Sequence, residues 1–216
     1  MHGNDLSYAY GLWFLAAVNV LLFAFFVLSF LTPAKKREWR NMGVTLAFFV
    51  ALFTEMYGFP LTVYILTAVL GTRYPALNPF SHTSGHLWVT FLGGGQAMIA
   101  GIHVVSNGLV LAGFILMWKS WKLIHGAKGD FVKDGPYAYI RHPQYLGLYL
   151  IIIGMLIQWP TAVTALMFPV LVFIYYRLAK TEEREMEREF KDAYREYEKR
   201  VPMFFPHFKT LKGGVR

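Results

Sequence analysis

Two polar stretches stand out in an otherwise apolar chain. The first runs from Asp134 to Tyr145 and gathers Tyr137, Tyr139, Arg141, His142 and Tyr145 just before an apolar run that opens at Pro143. Proline suits the first turn of a helix, where a missing N–H has no cost, and it leaves Arg141 and His142 at the positively polarised end. A carboxylate would be held well there. The plainer reading puts Arg141 on a lipid phosphate, His142 on the helix end and the tyrosines in an interfacial belt. The second stretch, Glu182 to Pro202, sets Glu182, Glu183 and Glu185 just beyond the last apolar run, with Met186, Phe190, Tyr194, Tyr197 and Val201 following on one helical face. Taken by pattern alone, this is a water-facing amphipathic helix with weak spaced ion pairs.

Three further polar residues lie inside apolar runs. Glu55 is a carboxylate deep in a span, which by default marks a paired or functional group. His103 and Asn107 stand four apart on one helix face and are expected to meet it, either as a contact for an acceptor molecule or as a structural hydrogen-bond set. His82 and His86 have the spacing of helical metal ligands, but no third ligand is in view, so no metal is expected. Gly93-Gly94-Gly95 is not followed by the Lys-Ser or Lys-Thr of a phosphate loop and reads as a flexible lead-in to a helix.

The elements that must position these groups are membrane helices. Apolar runs at Tyr10–Leu31, Val44–Leu70, Gln96–Trp121 and Thr161–Leu178 are each long enough to cross about 30 Å of hydrocarbon. A shorter fifth run, Tyr145–Trp159, is separated from the last by a turn at Pro160, so residues 143–180 form a helical hairpin. Gly58 and Pro60 predict a kink in the second run. Thr181 is a candidate cap for a separate C-terminal helix, whose first turns would carry the glutamates, although the last span running straight on is equally compatible. The fold class is therefore all-α integral membrane, with about five spans and a cytosolic amphipathic C-terminal helix. Residues 1–95 would hold the first two spans and an outer loop, 96–206 the functional core and 207–216 a tail. The first run lacks a basic flank and a small-residue cleavage site, and is expected to be retained as a helix.

Composition agrees: of 216 residues 56% are hydrophobic, 18% aromatic and 16% charged, too apolar for an ordinary soluble domain. The chain has no cysteine, which excludes disulfides, thiolate metal sites and cysteine nucleophiles. Its net charge of +8 follows from placement, since all 21 Lys and Arg residues except Arg73 fall on one side of the five-span scheme. That puts the N-terminus outside and the connector and tail in the cytosol, where anionic headgroups account for the basic excess without nucleic acid.

Together the two polar stretches resemble the membrane methyltransferase superfamily that contains isoprenylcysteine carboxyl methyltransferases and phospholipid N-methyltransferases. The resemblance rests on Gly135-Pro136-Tyr137, on Arg141-His142-Pro143-Gln144-Tyr145-Leu146-Gly147, and on Glu182-Glu183 with Met186, Phe190, Tyr194, Tyr197 and Val201-Pro202. It covers roughly residues 108–206. In the family the phenylalanine is commonly followed by glycine, where this chain has Lys191, and leucine is usual at Met186.

The resemblance implies an enzyme that moves a methyl group from S-adenosylmethionine to a lipophilic or small membrane-accessible acceptor at the cytosolic face. Methyl transfer at a sulfonium asks chiefly for binding and alignment. By the same resemblance, Glu182 or Glu183 would face the cofactor's ammonium and His142 its carboxylate, with Tyr137, Pro143 and Tyr145 around the pocket and Tyr194 and Tyr197 closing it from water. Arg141 would sit nearest the acceptor or brace a glutamate; Arg141 and Glu183 are the catalytic candidates. A carboxylate, an amine or a thiol would each serve as acceptor. The competing readings are a non-catalytic transporter or lipid-binding scaffold, and a fold-related reductase holding a nicotinamide in the same pocket.

Overall fold

The computed structural model describes residues 17, 21, 37–57, 61–70, 86–127 and 131–206. Among them the structure is entirely helical: α1 (Arg37–Tyr57), α2 (Leu61–Leu70), α3 (Leu87–Leu92), α4 (Gln96–Gly126), a 3-10 turn (Gly135–Ala138), α5 (Pro143–Gln158) and α6 (Ala162–Arg200). The first apolar run lies outside these residues apart from Ala17 and Leu21, both helical. The run at Val44–Leu70 is two helices, with α1 ending at Tyr57 and α2 starting at Leu61. Among the described residues two helices, α4 and α6, are long and apolar enough to cross a membrane. On α4, Val104, Leu111, Phe114 and Trp118 are exposed, an arrangement that suits surrounding hydrocarbon better than water.

The chain divides into two compact units. One draws on Met1–His103 and Leu156–Leu171. Within it, Glu55 lies in the last turn of α1 with its Oε2 accepting a hydrogen bond of 3.0 Å from the N–H of Thr62, at the N-terminus of α2, where the helix dipole favours a negative charge. The hydroxyl of Thr62 in turn accepts a bond from the N–H of Ala162, the first residue of α6. Gly93 ends α3 in the left-handed conformation (φ +69°) and the N–H of Gly94 closes the turn on the carbonyl of Val89, so the triple glycine is a helix stop.

The second unit draws on Val104–Met155 and Val172–Arg216. Here α4 and α5 approach until backbones touch. A Cβ on Gly113 would lie 2.5 Å from the carbonyl oxygen of Gly147, and one on Gly147 would lie 2.8 Å from that of Gly113. Small residues allow this close approach, and contact between main chains takes the place of side-chain interdigitation. Pro143 is the first residue of α5, and the hairpin turn falls at Pro160 between α5 and α6.

α6 continues through Thr181 without a break, so Thr181 caps nothing: its hydroxyl donates to the carbonyl of Arg177 one turn back. Helix propagation adds a bond per residue while a fresh start must nucleate, and no breaker stands between Leu178 and Thr181. The break comes later, at Lys191, with φ 46° and ψ −120°. Side-chain-bearing residues rarely adopt that conformation, because the Cβ crowds the carbonyl. It falls where the resembling family commonly has glycine.

Candidate active site

The amphipathic stripe on the C-terminal half of α6 finds its partner in Phe131, which is stacked on Phe190 and in edge contact with Tyr197; Tyr194, Tyr197 and Val201 are buried against it. Beside this cluster lies a cavity of about 420 Å³ whose lining includes Tyr137, Arg141, His142, Glu182, Tyr194 and Tyr197. The volume falls within the roughly 300–1,000 Å³ of small-molecule sites.

Arg141 is the centre of the polar arrangement, with all three guanidinium nitrogens engaged. Its Nε donates to Glu183 Oε1 at 2.8 Å, and one terminal nitrogen lies 2.7 Å from the same oxygen and 3.2 Å from Glu198 Oε1. The other terminal nitrogen donates to the carbonyls of Glu198 and Val201, at 2.9 and 3.2 Å. The backbone repeats the link, with the N–H of Arg141 on Pro202 and that of His142 on Met203. Arg141 thus ties the approach to α5 to both ends of the C-terminal part of α6. Of its two expected roles the geometry matches the brace, with Glu183 the braced group.

Glu183 is buried and also receives Lys180 at 2.9 Å and His142 Nε2 at 3.3 Å. Burial alone would raise its pKa, but hydrogen bonds from His142 and Lys180 and the charge of Arg141 outweigh it and bring it down to about 2. Burial likewise works against the charged form of His142, yet bonds and charge from Glu182 and Glu183 raise its pKa overall. Glu182 lines the cavity and accepts a short bond from the Tyr145 hydroxyl. Burial, then the neighbouring Tyr197 and the charge of Glu182, push the Tyr137 hydroxyl up; it is a phenol that stays protonated. Tyr137 is only 6% exposed, and its buried hydroxyl lies beside Ser120, which works against that rise.

The structure therefore brings Tyr137, Arg141, His142, Glu182, Tyr194 and Tyr197 to one cavity, while Pro143, Tyr145 and Glu183 are not among its lining residues. The remaining candidates are elsewhere. Glu55 meets Thr62, not His103, because the start of α2 brings it a backbone donor; His103 instead pairs with Gln158 at 2.8 Å. Asn107 lies exposed on α4. His86 bonds the carbonyl of Gln158 and stacks on Trp159, and His82 lies outside the described residues. Phe131, Glu185 and Glu189 also line the cavity and were not put forward as site residues by the sequence, and Gln144 entered only as part of a motif. For the two glutamates the only signal was helical spacing: Glu182, Glu185 and Glu189 share a face of α6 with Met186.

Known proteins carry the same segment. Residues 96–188 match the isoprenylcysteine carboxyl methyltransferase family. The chain is 34% identical over 111 residues to the protein-S-isoprenylcysteine O-methyltransferase of Schizosaccharomyces pombe, covering 49% of this chain and 45% of that protein. The human protein of the same name is 34% identical over 95 residues, or 42% of this chain and 33% of its own length. The cobalt-zinc-cadmium resistance protein CzcN of Cupriavidus metallidurans is 30% identical over 107 residues, covering 49% of each chain. The chain spans about half or less of the length of these relatives. No solved structure gives a significant match. The matched segment contains α4, α5, the connector and the Glu182-Glu183 pair.

Proposed function

We propose that this chain is an integral membrane methyltransferase that uses S-adenosylmethionine and acts on a lipophilic or small membrane-accessible acceptor bearing a carboxylate, amine or thiol. The observation that carries the reading is the cavity itself. It joins a carboxylate at Glu182, an imidazole at His142 and a buried phenol at Tyr137, all within the segment that matches the methyltransferase family, to an aromatic wall that runs on to Tyr197. That set fits a zwitterionic nucleoside: Glu182 suits its ammonium, His142 its carboxylate, and Phe131, Phe190, Tyr194 and Tyr197 offer faces for a purine. When bound, the cofactor supplies an electrophilic methyl on a sulfonium.

The protein's own part is binding and alignment. Arg141 and Glu183 hold the cavity's two polar walls together, which makes Arg141 a positioning residue. His142, its pKa raised by the two glutamates, is kept cationic over a wider pH range. In the proposed topology the chain spans the membrane five times with its N-terminus outside, so the cavity opens to the cytosol and the acceptor arrives through the bilayer. Residues 96–206 form the catalytic core in this reading, and residues 1–95 the two leading spans.

Calorimetric titration of S-adenosylmethionine and its demethylated product into detergent-purified protein tests it, alongside Glu182→Ala and His142→Ala. Micromolar binding that the folded variants lose supports the proposal. Absence of binding in lipid-supplemented preparations would sink it and favour a scaffold or transporter; displacement by a nicotinamide dinucleotide would favour a reductase.

A further inference from the structure

Glu182 has both carboxylate oxygens engaged from the start of α5. The Tyr145 hydroxyl donates to Oε1 at 2.5 Å, and His142 Nδ1 lies 3.6 Å from Oε2. His142, Tyr145 and Tyr149, spaced by three and four residues, follow one helical face there. The Tyr145 ring is buried and has little room to turn, with His142 on one side and Tyr175 on the other at centroid distances of 5.6 and 5.4 Å. Tyr175 in turn touches Tyr149, Tyr149 touches Phe204, and Phe204 returns to His142, so the five rings close into a circuit. Tyr145 itself does not line the cavity, whereas Glu182 does, and the Glu182 side chain remains 34% exposed to whatever enters.

We propose that Tyr145 is a positioning residue: from behind the wall its hydroxyl aims the Glu182 carboxylate into the cavity and so sets the affinity for the ammonium end of the occupant. The inference rests on the methyltransferase reading above. A carboxylate has about four lone-pair sites, and Tyr145 and His142 leave room on both oxygens for an ammonium. A glutamate free to change rotamer would have to be ordered by the ligand, at a cost in entropy. Tyr145 orders it beforehand, through a bond to a charged acceptor from a ring that its neighbours hold still. With His142 still in place, loss of the hydroxyl alone is expected to weaken binding about three- to thirtyfold. Tyr145 therefore acts on the occupant through Glu182 and not by touching it, which differs from the pocket-lining role that the family resemblance implies.

The test is a double-mutant cycle on the full chain in lipid nanodiscs, with S-adenosylmethionine and S-adenosylhomocysteine titrated into wild type, Tyr145→Phe, Glu182→Ala and the double variant. Phenylalanine keeps the ring and removes only the hydroxyl, and melting curves confirm folding. Tyr145→Phe is expected to weaken both ligands to the same extent, because both carry the ammonium, and to have little further effect in the Glu182→Ala background. 5′-Methylthioadenosine, the same nucleoside without ammonium or carboxylate, should bind wild type and Tyr145→Phe alike. Tyr149→Phe is the control: it removes a hydroxyl of the same aromatic group, bonded at 3.3 Å to the carbonyl of Val172, and should bind all three ligands as wild type does. Additive losses from Tyr145→Phe and Glu182→Ala, an equal loss for 5′-methylthioadenosine, or no loss from Tyr145→Phe overturn the positioning role and leave the methyltransferase reading standing. If wild type binds neither S-adenosyl ligand, the reading and the inference fall together.

Discussion

Replacing Lys191 with glycine is expected to make the protein more stable, although it puts the weakest ordinary helix former inside its longest described helix. Lys191 has φ 46° and ψ −120°, and holding a residue with a side chain in so sparsely populated a region costs about 1–3 kcal/mol. Glycine removes the Cβ that causes the conflict. Against this stands the greater freedom of glycine in the unfolded chain, worth about 0.4–1 kcal/mol. The balance is a gain of about 1 kcal/mol, or about 2–4 °C in Tm for a chain of this size. Lys191→Ala is the control, because it removes the same charge and flexible stem but keeps the Cβ. Thermal melts of the detergent-solubilised proteins should rank glycine above alanine, with alanine near wild type. A glycine variant melting at or below the alanine variant would show that the break in α6 carries no strain, and the argument would fail.

Arg141→Lys should behave as a drastic change: one ammonium cannot replace five fixed donors, and the cost should approach the roughly 3–5 kcal/mol of breaking a buried ion pair, read as a fall in Tm. Gly113→Ala would place a methyl 2.5 Å from the carbonyl of Gly147, so α4 and α5 must separate; a loss of about 1–3 kcal/mol is expected in the same assay. The Glu183 pKa, lowered to about 2 from an ordinary 4.5, contributes stability that is complete above pH 4.5 and lost as the pH falls toward 2; acid melts of Glu183→Gln should lack that decline. His142 has the opposite sign. Its raised pKa contributes stability in full below the ordinary value of 6.5, lost as the pH climbs through the raised one, and His142→Asn should flatten that upper limb.

Local patterns carried the sequence reading a long way in places. Pro143 opens α5 and Pro160 divides the hairpin, because proline's geometry acts on its own neighbours. The stripe of Met186, Phe190, Tyr194, Tyr197 and Val201 follows helical spacing, and its burial against Phe131 follows from its composition. What escaped depends on residues far apart in the chain. The acceptors of Arg141 include two main-chain carbonyls near residue 200, which no pattern of side chains announces. Glu55 was expected to seek a side-chain partner across helices but took the nearest free N–H, that of Thr62. Glu185 and Glu189 looked like an ordinary wet surface because charge spacing alone does not tell a solvent face from a cavity wall. The meaning of Lys191 needed the backbone: only φ shows why glycine would be at home there.

The Arg141 clasp also sets an order of events during synthesis. Its last acceptor, the carbonyl of Val201, lies 60 residues further along the chain. At about 5–20 residues per second, a ribosome needs about 3–12 seconds to deliver it after Arg141 has been made. Until Glu183, 42 residues on, has been made, α4 and α5 can dock by their glycines while the guanidinium has none of its final partners. The cavity is therefore the last part of its unit to close, and a nascent chain halted before residue 183 would display a helix pair with an open, acceptor-less arginine at its neck.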